Sequence, residues 1–280
     1  MANDLFGLVT ERQKRGGVDL LGLATGLSLV DKYTGGMQPD QMWLVGAVTS
    51  GGKSAFGLDV TLAAARQGDT AVYFSLEMSA ESLTNRLISR VTKLDGQRIL
   101  RGKINKTELG RVKDAVDELA ELPLVVFDSS VSSDQIQTKT LELAEKTDIG
   151  FVCVDYAQML RDPNVHGETD RVGNISGAIR TLARPDYLNV PVMLLSQLNR
   201  QSQTRENRIP QLHDFKGASD LEQDAEVALL LDRPYKRLME EGAPPKDIED
   251  DAKIIIAKNR NGMTLATPAE FHASTTTWIQ

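Results

Sequence analysis

Cysteine occurs once in the 280-residue chain, at Cys153, and histidine three times, at His166, His213 and His272. A single thiol excludes an internal disulfide framework, and so small a stock of thiols and imidazoles argues against a Cys/His zinc site. Aromatic residues are 5% of the chain, too little for a platform that stacks many bases on rings. No stretch approaches the ~18 consecutive apolar residues of a membrane span. The opening MANDLFGLVTERQKRGG lacks the basic start and apolar core of a secretory signal, so a cytoplasmic protein is expected. Positive charge is not in excess either: the net charge is −7 and the pI about 5.1. A monomer that grips nucleic acid over its whole surface is thereby disfavoured, whereas a ring that gathers Lys and Arg in a central pore is not.

What is present is ordinary globular material, with 41% hydrophobic and 25% charged residues. This composition excludes collagen, coiled-coil fibre and wholesale disorder. Residues 1–40 read as a leader: a short helix over 3–15, then a Gly- and Leu-rich stretch to Pro39. It is too thin for a core of its own and is expected to pack as an arm on the main body, 41–280, or on a neighbouring subunit.

From residue 41 apolar strands alternate with helices. Strands are predicted at 41–48, 70–76, 123–128, 150–155, 190–196, 225–231 and 252–258, with a weaker, edge-like strand at 265–271 that carries Pro268. Helices are predicted at 53–67 and 80–92, and from Ser132 to about 146. Further helices follow from the spacings of Leu109, Val112, Val116 and Leu119, and of Val172, Ile175, Ile179 and Leu182. Continuous apolar strands separated by helices predict an α/β fold, a mostly parallel central sheet flanked by helices and buried on both faces. The polar stretch from Asn199 to Lys216 is unusually long for a loop, and loops of that size are usually functional or disordered.

The strongest local signal is Ala47-Val48-Thr49-Ser50-Gly51-Gly52-Lys53-Ser54, between a predicted strand and a predicted helix. It fits the P-loop pattern except that Ala47 stands at the first Gly. Gly51 and Gly52 let backbone N–H groups turn inward around phosphate oxygens, and the following helix points its positive end at the same place. Lys53 would neutralise the β- and γ-phosphates of a bound nucleotide, and Ser54 would hold Mg²⁺. Three polar residues follow apolar strands, at the edge where open α/β sheets place ligands: Glu77, Asp155 and Gln197. Asp155 suits orienting magnesium, Glu77 polarising a water, and Gln197 sensing the γ-phosphate. Taken singly, each could equally be the first solvated position beyond a strand.

Several motifs occur in order: TGGMQP (34–39), AVTSGGKS (47–54), FSLEMSAESL (74–83), VDYAQML (154–160), VPVMLLSQLNR (190–200), DLEQDAEV (220–227) and IIIAKNRNG (254–262). Through them nearly the whole chain resembles the helicase domain of the DnaB family of replicative helicases, which has a RecA-like P-loop NTPase fold. The resemblance implies a homo-hexameric ring that hydrolyses ATP and moves 5′ to 3′ on single-stranded DNA. It makes Glu77 the catalytic glutamate, Asp155 the Walker B acid and Gln197 the sensor. Lys258 and Arg260 become the basic pair that reaches the neighbouring subunit's γ-phosphate. Lys216, Gly217 and Ser219 fall on the DNA-contacting loop, with a Lys where the family often has Arg and Gly217 in place of an acidic residue. Arg171 matches the start of the other pore-side segment.

Two departures stand out. The family's N-terminal domain, which meets primase, is not expected here, so contact with primase does not carry over. The segment 183–190, with Pro185, is slightly longer than the usual turn, and a local loop change is expected. Two other readings share the same P-loop: a filament-forming strand-exchange ATPase, and an assembly module that uses ATP to hold a ring together without unwinding.

Overall fold

A computed structural model describes residues 10, 20–129, 132–160, 168–199, 209–215, 217–239, 242 and 248–280, without the side chains of 168–170, 218 and 237. The expected helix at 3–15 apart from residue 10, most of the 199–216 loop, and Lys216 lie outside the described residues.

Nine strands form one sheet: β1 (Met42–Ala47), β2 (Thr70–Ser75), β3 (Leu124–Phe127), β4 (Ile149–Asp155), β5 (Val192–Gln197), β6 (Val227–Asp232), β7 (Asp251–Asn259), β8 (Leu265–His272) and β9 (Thr277–Ile279). Their spatial order is β3-β2-β4-β5-β1-β6-β7-β8-β9. From β3 to β6 every pairing is parallel, as the apolar runs predict. From β6 to β9 every pairing is antiparallel, so a hairpin-built extension completes the sheet. The edge-like strand at Pro268 is β8. The three-residue β9 pairs only with Glu270–His272, and Pro268, which has no N–H to donate, lies beyond its reach.

β1 shows why the strands read as unbroken apolar runs. Trp43, Val45 and Ala47 enter the core on one face, and Met42 and Leu44 enter the core on the other. The first face is covered by α1 (Ser28–Thr34), α2 (Lys53–Arg66) and α3 (Ala80–Thr92), the second by α6 (Ser133–Ala144), α7 (Glu168–Ala183) and α8 (Ala218–Asp224). The expected cap on α6 is a capping box, with Ser132 and Gln135 each accepting the other's backbone N–H. Between α3 and β3 lie α4 (Gly96–Leu100) and α5 (Lys106–Glu121), and α9 (Pro234–Met239) follows β6.

The apolar face of α5 is split: Leu109 and Val116 are exposed, Val112 is half-buried, and Leu119 packs against the core beside the buried Ala115. Part of the leader is built into the body, with Leu27, Val30 and Met37 in the same core cluster as Trp43 and Phe56. The 183–190 segment is a local turn closed by Asn189 N–H on the Arg184 carbonyl (3.0 Å) and an exposed Arg184–Asp186 pair.

Candidate functional site

Parallel strands end at one edge of a sheet, so whatever follows them is gathered there. Ala47 is in register with Gln197, and Ser75 with Asp155. The loop after β1 therefore meets Glu77, Asp155 and Gln197 at a single edge, and a cavity of about 330 Å³ opens between the loop, Glu77, Arg86, Tyr156, Gln197, Arg233 and Phe271.

The loop has the shape that its glycines allow. Ser50 (φ 57°) and Gly52 (φ 93°) are left-handed. A β-carbon on Gly51 would lie 2.9 Å from the Val48 carbonyl oxygen, whose bond from the Gly51 N–H (2.8 Å) closes the turn. α2 starts at Lys53 with no side chain capping its first amides. These open N–H groups and the helix's positive end face the cavity and fit an anion such as phosphate.

Lys53 and Asp155 form a buried pair beneath the loop. The ammonium lies 2.9 Å from Asp155 Oδ1 and 3.9 Å from the centre of the Tyr156 ring. The other carboxylate oxygen accepts a bond from the Tyr73 hydroxyl at 2.8 Å. Asp155 is fully buried, and both its oxygens have polar partners, as burial of such a group requires. Burial, reinforced by the negative charge of Asp155, pushes the Tyr73 phenol well above its usual range and keeps it a donor. Burial raises Tyr156 as well, with Glu77 and Asp155 adding to it. Asp155 and Lys53 were legible from sequence. Tyr73 was not, because a tyrosine inside TAVYFS reads as core.

Gln197 bridges two elements. Its side-chain amide donates to Thr49 Oγ1 (2.7 Å) on the loop, and its backbone N–H donates to Gln158 Oε1 (3.0 Å). Gln158 in turn donates to Ser196 Oγ at 2.9 Å. Glu77 is exposed at the cavity wall. Sequence reasoning missed three cations around the loop. Arg86 is held below its usual range by burial and then by Arg90. Arg233 is lowered by burial, and its guanidinium lies 3.8 Å from the centre of the Phe271 ring. Lys236 donates to the Thr49 carbonyl.

Lys258 and Arg260 do not join this cavity. β7 runs against β6, which carries the end of β7 to the edge opposite the loop. There the Lys258 ammonium donates to the Glu222 carbonyl and the Arg260 guanidinium to that of Gln223, with Glu226 Oε1 3.4 Å from Arg260. Burial, and then Arg260, lowers the Lys258 ammonium.

Arg171, Gly217 and Ser219 lie where α7 meets α8. A polar ladder joins the two segments: Ser176 Oγ donates to Asp224 (2.6 Å) and Arg180 to Glu226 (2.8 Å). A β-carbon on Gly173 would collide with Asp220. Gly217 (φ 76°) caps α8, Ser219 is exposed, and the buried Nε of Arg171 has no hydrogen-bond partner.

Among the described residues no three or more His, Cys, Asp or Glu side chains cluster as a metal cage. One buried carboxylate and one hydroxyl beside a phosphate cradle is the donor set for an ion that keeps waters and phosphate oxygens as its remaining ligands, which is magnesium's preference. No helix among the described residues is long and apolar enough to cross a membrane.

The model of the DnaB-like helicase C-terminal domain matches residues 22–280. The replicative DNA helicase DnaB of Helicobacter pylori (strain ATCC 700392 / 26695) is 30% identical over 298 residues, which cover 95% of this chain and 61% of that protein. The corresponding protein of Leifsonia xyli subsp. xyli is 32% identical over 266 residues, 93% of this chain and 56% of its own. The chain thus spans about three fifths of the length of these relatives. A solved DnaB-like replicative helicase, described with its interactions with primase, superposes with a TM-score of 0.87 at 26% identity over 99% of this chain and 66% of that one. The mostly parallel sheet with flanking helices is accordingly the RecA-like arrangement that the motifs implied.

Proposed function

The chain belongs to the DnaB-like helicase C-terminal domain family, and on that premise we propose that it is the ATP-hydrolysing motor of a replicative DNA helicase. In this reading six copies form a cytoplasmic ring that moves 5′ to 3′ along single-stranded DNA and parts the duplex ahead of it. The observation that carries the proposal is the division of charge along the chain. One sheet edge holds a phosphate cradle, Lys53, Asp155, Glu77 and Gln197, while Lys258 and Arg260 sit at the opposite edge. A single copy cannot bring both sets to one triphosphate. A head-to-tail ring can, because each seam joins one copy's front to the next copy's back.

The amides of Thr49 to Ser54 bind the phosphates, and Lys53 exchanges its partner Asp155 for them. Ser54 and Asp155 are the residues that would hold Mg²⁺, whose charge, when bound, draws electron density from the β- and γ-phosphate oxygens. Glu77 orients the attacking water. Lys258 and Arg260 of the adjacent copy approach the γ-phosphate and stabilise the charge that develops there. Gln197 ties Thr49 to the end of β5, from which the chain runs on toward the DNA-facing segment with Lys216, Gly217 and Ser219. Arg171, on α7, would add a second cation on the DNA-facing side. A loop of one lysine and backbone amides binds phosphate rather than base sequence.

The test is an unwinding assay on forked duplexes with a 5′ or a 3′ single-stranded tail. ATP-dependent strand release that requires the 5′-tailed strand is expected. Strand exchange without fork release, or closed rings that hydrolyse ATP and separate nothing, would reject the helicase reading.

A further inference from the structure

Trp278 lies in β9, the last strand, 226 residues along the chain from the loop it touches. Its indole Nε1–H donates to the Gly52 carbonyl oxygen at 2.9 Å. The same oxygen accepts the Phe56 N–H at 2.9 Å, the first turn of α2. Both lone pairs of that carbonyl are therefore engaged on the side away from the cavity. In a planar trans peptide the C=O and the next N–H point in opposite directions. Holding the Gly52 carbonyl outward thus aims the Lys53 N–H into the phosphate cradle.

The contact is built tightly. A β-carbon on Gly52 would lie 2.9 Å from Trp278 Nε1 and 3.0 Å from the Phe271 ring, so the aromatic pair rests directly on loop backbone. Trp278 stands edge-on to Phe271 (centroids 5.2 Å apart) and to Phe56 (6.3 Å). The Phe271 ring also carries Arg233, which lines the cavity and whose Nη1 lies 3.4 Å from the Ser50 carbonyl oxygen. β9 itself is strapped to the helices that flank the loop. Trp278 N–H donates to Asp59 Oδ2 (2.9 Å), and Asp59 pairs with Arg90 (2.5 Å). Arg90 in turn donates to the carbonyls of Ala55 (3.0 Å) and Thr276 (2.5 Å).

We propose that Trp278 is a positioning residue for the phosphate loop: its indole N–H holds the Gly52 peptide in the phosphate-accepting orientation and makes the C-terminal strand respond to what the loop holds. The inference rests on the reading that the cavity takes a nucleoside triphosphate. Trp278→Phe keeps an aromatic ring against Phe56 and Phe271 and removes only the donor.

The experiment titrates a fluorescent ADP analogue, with Mg²⁺, into the wild-type chain and W278F. The variant is expected to bind about three- to ten-fold more weakly, the value of one neutral hydrogen bond. A second measurement leaves Trp278 in place. In wild-type protein labelled with 5-fluorotryptophan, Trp43 and Trp278 are the two ¹⁹F reporters. The Trp278 signal is expected to shift when ADP is added, while that of Trp43, buried on β1, stays put. Equal affinities of W278F and wild type, or a Trp278 signal indifferent to ADP in protein that binds it, overturns the inference and leaves the nucleotide reading standing. Wild-type protein that binds no ADP overturns both.

Discussion

Removing the Arg260 guanidinium should abolish turnover without touching nucleotide binding. The geometry sets the expectation. Lys258 is in register with Ala228 on β6, and Ala228 with Leu44 on β1, three residues before Ala47. At about 3.3 Å per residue and about 4.8 Å per strand, the Lys258 Cα lies about 14 Å from the start of the loop. Its ammonium turns the other way, onto the Glu222 carbonyl. Arg260 is one step beyond the strand and is held by Gln223 and Glu226. Neither group can serve the cavity of its own chain. R260A should therefore bind ATP within about two-fold of wild type while kcat falls by about 10³ or more, the worth of a cation supplied in trans. K53A should fail for the complementary reason, by losing the phosphate contact.

Mixing the two inactive proteins is the decisive assay. In a randomly mixed one-to-one ring, about a quarter of the seams join an intact Lys53 to an intact Arg260, so ATPase activity should return to about a quarter of wild type if seams act independently. R260A protein that hydrolyses ATP at the wild-type rate would falsify the trans assignment. A mixture no more active than its separate components would do the same.

Three further expectations follow from the same geometry. Glu77→Gln keeps the shape at the cavity wall and should bind ATP normally while turnover drops about 10²- to 10⁴-fold in a steady-state phosphate-release assay; normal turnover reassigns the water-orienting role. Tyr73→Phe deletes the donor to a fully buried carboxylate. It should cost about 1.5–3 kcal/mol, lowering the nucleotide-free melting midpoint by about 3–5 °C in calorimetry, and an unchanged midpoint denies the bond any weight. Affinity for single-stranded oligonucleotides should fall linearly on a log–log plot against salt, with a slope of about −0.7 per phosphate contacted. A flat line removes the pore-side assignment of Lys216, Gly217, Ser219 and Arg171.

The local chemistry of the site is written in short stretches of chain. Two glycines before Lys53-Ser54, set between an apolar run and a helical one, specify a strand, a left-handed turn and an open helix start, because each of those is decided by residues a few positions apart. Acids and amides that follow apolar runs, Asp155 and Gln197 among them, come to one edge because parallel strands share an end. Unbroken apolar runs, buried on both faces of the sheet, account for strands such as β1, β2 and β6.

Other features depended on chain segments far apart in sequence. The run AKIIIAK reads as a strand, but its apolar residues do not say which way it runs. Packing beside β6 turned it antiparallel and so sent Lys258 and Arg260 to the back of the sheet. Tyr73 and Asp155 are 82 residues apart, and Trp278 and Gly52 are 226 apart. A tyrosine or tryptophan in an apolar strand has the same local signature whether its polar tip finds a carboxylate, a loop carbonyl or nothing. What that tip meets is determined by strand order and register, and those emerge only when the whole sheet closes around its core.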